Sequence, residues 1–68
     1  RADNAKLRRR SAVAVARIAG CSDDAAERAL DAAGGSVKRA VLVALGSSPE
    51  AAEAALAATG GDLRRAMG

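Results

Sequence analysis

The sequence predicts a small all-α fold, a bundle of about five short helices in which one helix-turn-helix unit occurs twice. Alanine, the strongest helix former, dominates a chain of 68 residues that has no aromatic side chain. Serines that can cap a helix start alternate with glycines that can end a helix. Residues 21–41 also resemble residues 47–67. At this length we expect residues 1–68 to form a single domain.

The first helix is predicted within residues 1–20, with Asp3 or Asn4 as its cap and Gly20 as its stop. Helical spacing gives it two neighbouring surfaces. Its apolar row consists of Leu7, Ala14 and Ile18, with Val15 beside them. Its basic row consists of Lys6, Arg10, Val13 and Arg17. This helix is therefore predicted to be modestly amphipathic.

Residues 21–46 are predicted to form the first helix-turn-helix unit. Its caps and stops are Ser22, Gly34, Gly35, Ser36 and Gly46. The predicted buried face of its first helix is Ala26, Ala29, Leu30 and Ala33. Residues 40–45 are the longest apolar run of the chain. A helix that is apolar all round is normally buried by its neighbours, so we predict that the helix containing this run is central.

Residues 47–68 are predicted to be a second copy of that unit. An offset of 26 residues superposes Ser48 on Ser22 and Gly60-Gly61 on Gly34-Gly35. Pro49 suits the first helical position, where its missing N–H costs nothing. The predicted apolar stripe is Ala52, Ala55, Leu56 and Thr59. Two copies are too few for a solenoid, which favours a compact bundle.

The charge of the chain is unevenly distributed. Residues 1–17 contain six basic residues and one acidic residue, whereas the remainder contains five basic and seven acidic residues. The basic first helix allows three interpretations: a solvated face, a contact with nucleic-acid phosphates, or a contact with an acidic or phosphorylated ligand held by another part of the protein. Nucleic acid ranks last, because no aromatic side chain can stack on bases.

The sequence gives no sign of a catalytic, metal or cofactor site. There is no histidine or tyrosine, and the carboxylates occupy first-turn or solvent-facing helix positions. Cys21 is the single cysteine, so it has no internal disulfide partner, and it has no histidine to activate it. No run approaches a membrane span and nothing reads as a signal peptide, so we expect a cytoplasmic protein and no membrane partner. A start at Arg1 without methionine suggests a fragment of a longer chain.

One helix-turn-helix segment resembles the second and third helices of ubiquitin-associated domains. It is Ala29-Leu30-Asp31-Ala32-Ala33-Gly34-Gly35-Ser36-Val37-Lys38-Arg39-Ala40-Val41. This resemblance implies a three-helix arrangement with the first helix as its third member. The Met-Gly-Phe type loop of that family has no counterpart at Ala19-Gly20-Cys21, so the resemblance extends to the fold and not to ubiquitin binding.

A second resemblance covers nearly the whole chain. Its motifs are Asn4-Ala5-Lys6-Leu7-Arg8-Arg9-Arg10-Ser11, Gly20-Cys21-Ser22, Ala29-Leu30, Gly34-Gly35-Ser36-Val37-Lys38, Ala40-Val41 and Gly60-Gly61-Asp62-Leu63-Arg64-Arg65-Ala66. In this order they are similar to the C-terminal region of bacterial N-acetylmuramic acid 6-phosphate etherases. The parent would then carry an upstream sugar isomerase domain, act as a homodimer and eliminate D-lactate from the phosphosugar. The catalytic residues would lie in that upstream domain.

The etherase resemblance implies a supporting role for this chain. It would stabilise the dimer or cap the phosphosugar site, with Lys6, Asn4 and Arg10 as candidate contacts to the substrate. The alternative interpretation of Asn4 is a helix cap, and that of Lys6 is a solvated cation. A protein-binding module of the ubiquitin-associated type is the second function, and nucleic-acid binding the third.

Overall fold

The computed structural model describes residues 4–68, with side chains from residue 6 onward, and contains five helices and no strand within that range. The helices are α1 (Asn4–Ala19), α2 (Asp23–Ala32), α3 (Val37–Ala44), α4 (Pro49–Ala58) and α5 (Leu63–Met67). The prediction of a small all-α bundle is confirmed. The proposed cap at Asp3 lies outside the described residues, and so does the side chain of Asn4.

Local capping sets where the inner helices begin. Ser22, Ser36 and Ser48 precede α2, α3 and α4 in extended backbone, and each hydroxyl accepts a hydrogen bond from the amide N–H three residues later, at 3.1, 3.2 and 3.1 Å. Asp62 does the same for α5 through the N–H of Arg65, at 3.2 Å. Each contact satisfies an N–H that the helix leaves unpaired.

The first three helices pack on one another around a core built mainly from alanine and valine. α2 buries Ala26, Ala29, Leu30 and Ala33, the face predicted from its sequence. α1 instead buries Ala12, Val15 and Ala16. The two ends of its predicted apolar row, Leu7 and Ile18, are about half exposed, whereas Val15, predicted beside that row, is fully buried, so the core contacts the flank of α1 that carries Val15.

Helix α3 is central, as predicted, because it packs against each of the other four helices. Ala40, Val41 and Leu42 are buried, and the rest of the helix is only partly covered or exposed. Leu45, the last residue of the apolar run, caps the C-terminus of α3 and is 50% exposed. The prediction of a helix buried all round therefore fails at its C-terminal end.

The turns after α2 and α4 have the same geometry, which supports the duplication. The Gly35 N–H donates to the Leu30 carbonyl at 2.9 Å, and the Gly61 N–H donates to the Leu56 carbonyl at 2.7 Å. Gly34 and Gly60 both have φ of +66°, the left-handed conformation that ends a helix in a Schellman motif. The glycines of the two turns thus share the same backbone conformation and the same hydrogen bond, although the cap N–H donates to the Ala29 carbonyl in the first turn (Ala33) and to the Leu56 carbonyl in the second (Thr59).

The offset of 26 residues also relates α1 to α3. The Cys21 N–H donates to the Ala16 carbonyl at 3.1 Å, and the Ser47 N–H donates to the Leu42 carbonyl at 3.0 Å. The fold therefore consists of two overlapping three-helix units, α1–α2–α3 and α3–α4–α5, which share α3. This overlap gives an elongated molecule of 35 × 25 × 17 Å.

Candidate functional site

The outer side of α1 carries the predicted basic residues. Every described residue from 6 to 10 is exposed, and so are Val13 and Arg17. Lys6, Arg9, Arg10 and Val13 surround one open cavity of about 380 Å³. Positions i, i+3, i+4 and i+7 of a helix lie on one face, which explains why these four side chains meet. We call this group the basic surface.

An apolar row runs beside the basic surface. It consists of Leu7, Ala14 and Ile18, one row at helical spacing, and we call it the outer apolar row. Leu7 is 51% exposed and Ile18 is 47% exposed, while Ala14 is partly buried. Large aliphatic side chains are scarce in this chain. Two of them stay half exposed on one helix, so their apolar area does not add to the stability of a core that contains few large side chains.

A groove separates the first half of α1 from the turn after α2. It has a volume of about 400 Å³ and is lined by Leu7, Arg8, Ser11, Leu30, Asp31, Gly34 and Gly35. The Arg8 guanidinium donates to the Asp31 carboxylate across it. Asp31 lies in the last turn of α2, where the helix dipole disfavours an acid, so the cation offsets that repulsion.

A second groove, of about 310 Å³, has opposite charges on its two walls. Arg9 and Val13 belong to its α1 wall, and Asp23, Asp24 and Glu27 form its α2 wall. Asp23 and Asp24 lie in the first turn of α2, where the helix dipole favours acids. Arg9, a member of the basic surface, therefore also borders an acidic patch of the same molecule.

The structure brings two of the three predicted contact residues together. Lys6 and Arg10 line the same cavity on the basic surface. The side chain of Asn4 lies outside the described part of the chain. Arg9 belongs to the basic cluster of the sequence, Arg8-Arg9-Arg10 with Lys6 and Arg17, but it was not among the predicted substrate contacts, although its spacing of three residues from Lys6 places it on the same face.

The described residues contain no cluster of three or more histidine, cysteine or acidic side chains that could hold a metal ion. Cys21, partly buried in the turn between α1 and α2, has a free thiol. No side-chain nitrogen or oxygen in this part of the chain is buried without a hydrogen-bond partner.

Within residues 4–68 no single helix has the length and apolar character to cross a membrane. α3 and α4 satisfy those two criteria only as a pair, and that pair is bent by 120°. Comparison with protein-family models, with curated proteins and with solved structures gives no significant match to this chain.

Proposed function

We propose that this chain is a non-catalytic accessory module of a bacterial N-acetylmuramic acid 6-phosphate etherase. The parent enzyme would cleave the D-lactyl ether to N-acetylglucosamine 6-phosphate and D-lactate in the cytoplasm. Its sugar isomerase domain would precede the module in the same chain. The module would support dimerisation of the parent or cap its phosphosugar site.

The exposure of residues 6–10 is the observation that carries this proposal. These five residues belong to the first motif of the etherase resemblance, Asn4 to Ser11, yet none of their side chains is buried in the bundle. Arg8 pairs with Asp31 at the surface, whereas Leu7 and Arg10 point to open cavities. A motif that adds little to its own core is suited to a contact outside it.

The duplicated turns give further support. The two Gly-Gly motifs of the etherase resemblance end α2 and α4 with the same glycine conformation. The motifs of that resemblance therefore occur at equivalent places in the two repeated units. Lys6 and Arg10 line one open cavity, and cations of this kind form charge-assisted hydrogen bonds with phosphates and carboxylates. Arg9 lines the same cavity and joins Asn4, Lys6 and Arg10 as a candidate contact to the substrate.

The experiment is an assay for D-lactate release from N-acetylmuramic acid 6-phosphate. The complete open reading frame that contains this sequence and the 68-residue chain are expressed separately and assayed side by side. The proposal expects release by the complete protein and none by the chain alone. The assignment would be refuted if the complete protein is folded but releases no D-lactate and binds phosphosugars weakly or not at all.

Replacing Lys6 with alanine in the complete enzyme tests the substrate contact. Loss of one charge-assisted hydrogen bond is worth about 1.5–3 kcal/mol, so the KM should rise by at least about tenfold with kcat little changed. Arg64→Ala is the matched control, because Arg64 is an exposed cation on α5, away from the basic surface. Equal KM values in the two variants would remove Lys6 from the substrate site.

A protein-binding module of the ubiquitin-associated type is the second candidate. The mutual packing of α1, α2 and α3 favours it, since three helices in contact are what that resemblance implies. If the complete reading frame encodes no phosphosugar-binding domain, this candidate replaces the first. Nucleic-acid binding ranks third, because the exposed face of α1 mixes Leu7 and Ile18 with its cations.

A further inference from the structure

The repeat allows the outer side of α1 to be compared with the corresponding side of α3. The offset of 26 residues pairs Ala14 with Ala40 and Ile18 with Ala44. Ala40 is fully buried and Ala44 is partly buried, whereas Ala14 is only partly buried and Ile18 is 47% exposed. The same face of the repeated helix is thus covered in one unit and open in the other.

On α3, this face is covered by the helices that precede α3 in the chain. α3 packs against α1 and α2, which precede it in the overlapping arrangement. Within residues 4–68 no helix occupies the equivalent position on α1, where Ile18 is about half exposed. Leu7, also about half exposed, precedes the part of α1 that has an equivalent in α3 and continues the same row. The outer apolar row of α1 therefore marks the place that another helix takes in the second unit.

The charge around the row defines the occupant. Arg10 and Arg17 lie on the same side of the outer apolar row, and both are exposed. A second copy of α1 would bring these cations against like charges, which disfavours pairing through this face. A lipid surface would gain little, because the row offers two large aliphatic side chains and no aromatic anchor.

We propose that the outer apolar row of α1 docks an amphipathic helix that carries a row of acidic side chains beside its apolar row. Leu7 and Ile18 pack on the apolar row of the partner, and Arg10 and Arg17 pair with its carboxylates. The contact extends over residues 7–18, or about 16 Å of helix. Docking of an acidic helix does not depend on the reaction of the parent enzyme.

The test measures binding of synthetic peptides to the 68-residue chain by isothermal calorimetry and by amide chemical shifts. The probe is a helical peptide of about 20 residues, long enough to hold helical structure, with leucine and alanine on one face and glutamate beside them. A second peptide has lysine in place of each glutamate, and a third has the first composition in scrambled order. We expect the acidic amphipathic peptide alone to bind and to shift amides of α1.

Two pairs of variants locate the contact. Ile18→Ser should weaken binding about tenfold, whereas Leu45→Ser, which changes a similarly exposed aliphatic residue at the C-terminal cap of α3, should leave binding unchanged. The double change Arg10→Glu and Arg17→Glu should reverse the preference toward the lysine peptide. The same double change at Arg64 and Arg65 of α5 should not. Circular dichroism checks that each variant keeps its helix content.

Three results would overturn the proposal. One is equal binding of the acidic and scrambled peptides, and another is failure of the acidic peptide to bind while the wild-type chain is folded. The third is that the chain binds phosphatidylserine vesicles or duplex DNA and not the peptide, and that the Arg10 and Arg17 double variant loses this binding.

Discussion

Val15 and Val41 occupy equivalent places in the repeat, and both are completely buried. In a core made mostly of alanine they are the largest fully enclosed side chains of the described residues. Replacing Val15 with alanine leaves a cavity and should lower the free energy of unfolding by about 2 kcal/mol. Urea denaturation measures the change.

Val13→Ala is the control for that measurement. Val13 lies on the same helix and is 40% exposed, so its truncation should cost less than about 0.5 kcal/mol. A loss at Val13 as large as the loss at Val15 would contradict the assignment of the core face of α1.

A substitution at Gly34 tests the cost in stability of placing a side chain on a backbone with positive φ. Its φ is +66°, and a Cβ added there would meet no atom within 4 Å. Gly34→Ala should therefore destabilise the fold by about 1–2 kcal/mol through backbone strain alone. Gly34→Asn should recover part of this loss, because asparagine tolerates the left-handed region. Thermal unfolding compares the two variants, and equal stability of both would argue against the strain.

At the level of the helices, Lys38 holds the second unit together. Its Nζ donates to the Gly61 carbonyl at 2.7 Å, which ties the start of α3 to the turn between α4 and α5. Lys38→Met should cost up to about 1 kcal/mol and speed hydrogen exchange in α5 before other helices. Arg64→Met changes the repeat-equivalent residue and should leave that exchange unchanged. Similar exchange in both variants would show that the Lys38 contact carries no stability.

Local signals made the helices predictable from sequence, and tertiary contacts decided the rest. Ser22, Ser36 and Ser48 mark helix starts because each cap acts through the N–H three residues away. The buried face of α2 was equally predictable, since Leu30 is its single large apolar side chain. α1 has large aliphatic residues on several sides, and the position of α2 and α3 selected the side with Val15.

The candidate site was predictable in part. Charge and spacing brought Lys6 and Arg10 together, because they depend only on the geometry of one helix. The groove beside the Arg8–Asp31 pair was not predicted, since residues 23 positions apart meet only through the packing of α1 on α2. Pairing across such a distance leaves no trace in local periodicity.

For the whole molecule, burial falls from the first unit to the second. The core cluster comes from α1, α2 and α3, whereas Ala52 is the one fully buried residue of α4 and α5 has none. Native-state hydrogen exchange should therefore show the amides of α5 exchanging fastest, then those of α4, with the most protected amides in α3. Equal protection of α3 and α5 would mean that the bundle opens only as a whole.

The sharing of α3 by two units also bears on how such a chain can change over generations. A residue of α1 or α5 packs against neighbours of one unit only, so a substitution there needs one compensating change at most. Ala40, Val41 and Leu42 are buried in a helix that contacts partners from both units. A substitution in α3 would need compensating changes in both units at once. The three buried positions of α3 should consequently tolerate the fewest different amino acids in a deep mutational scan.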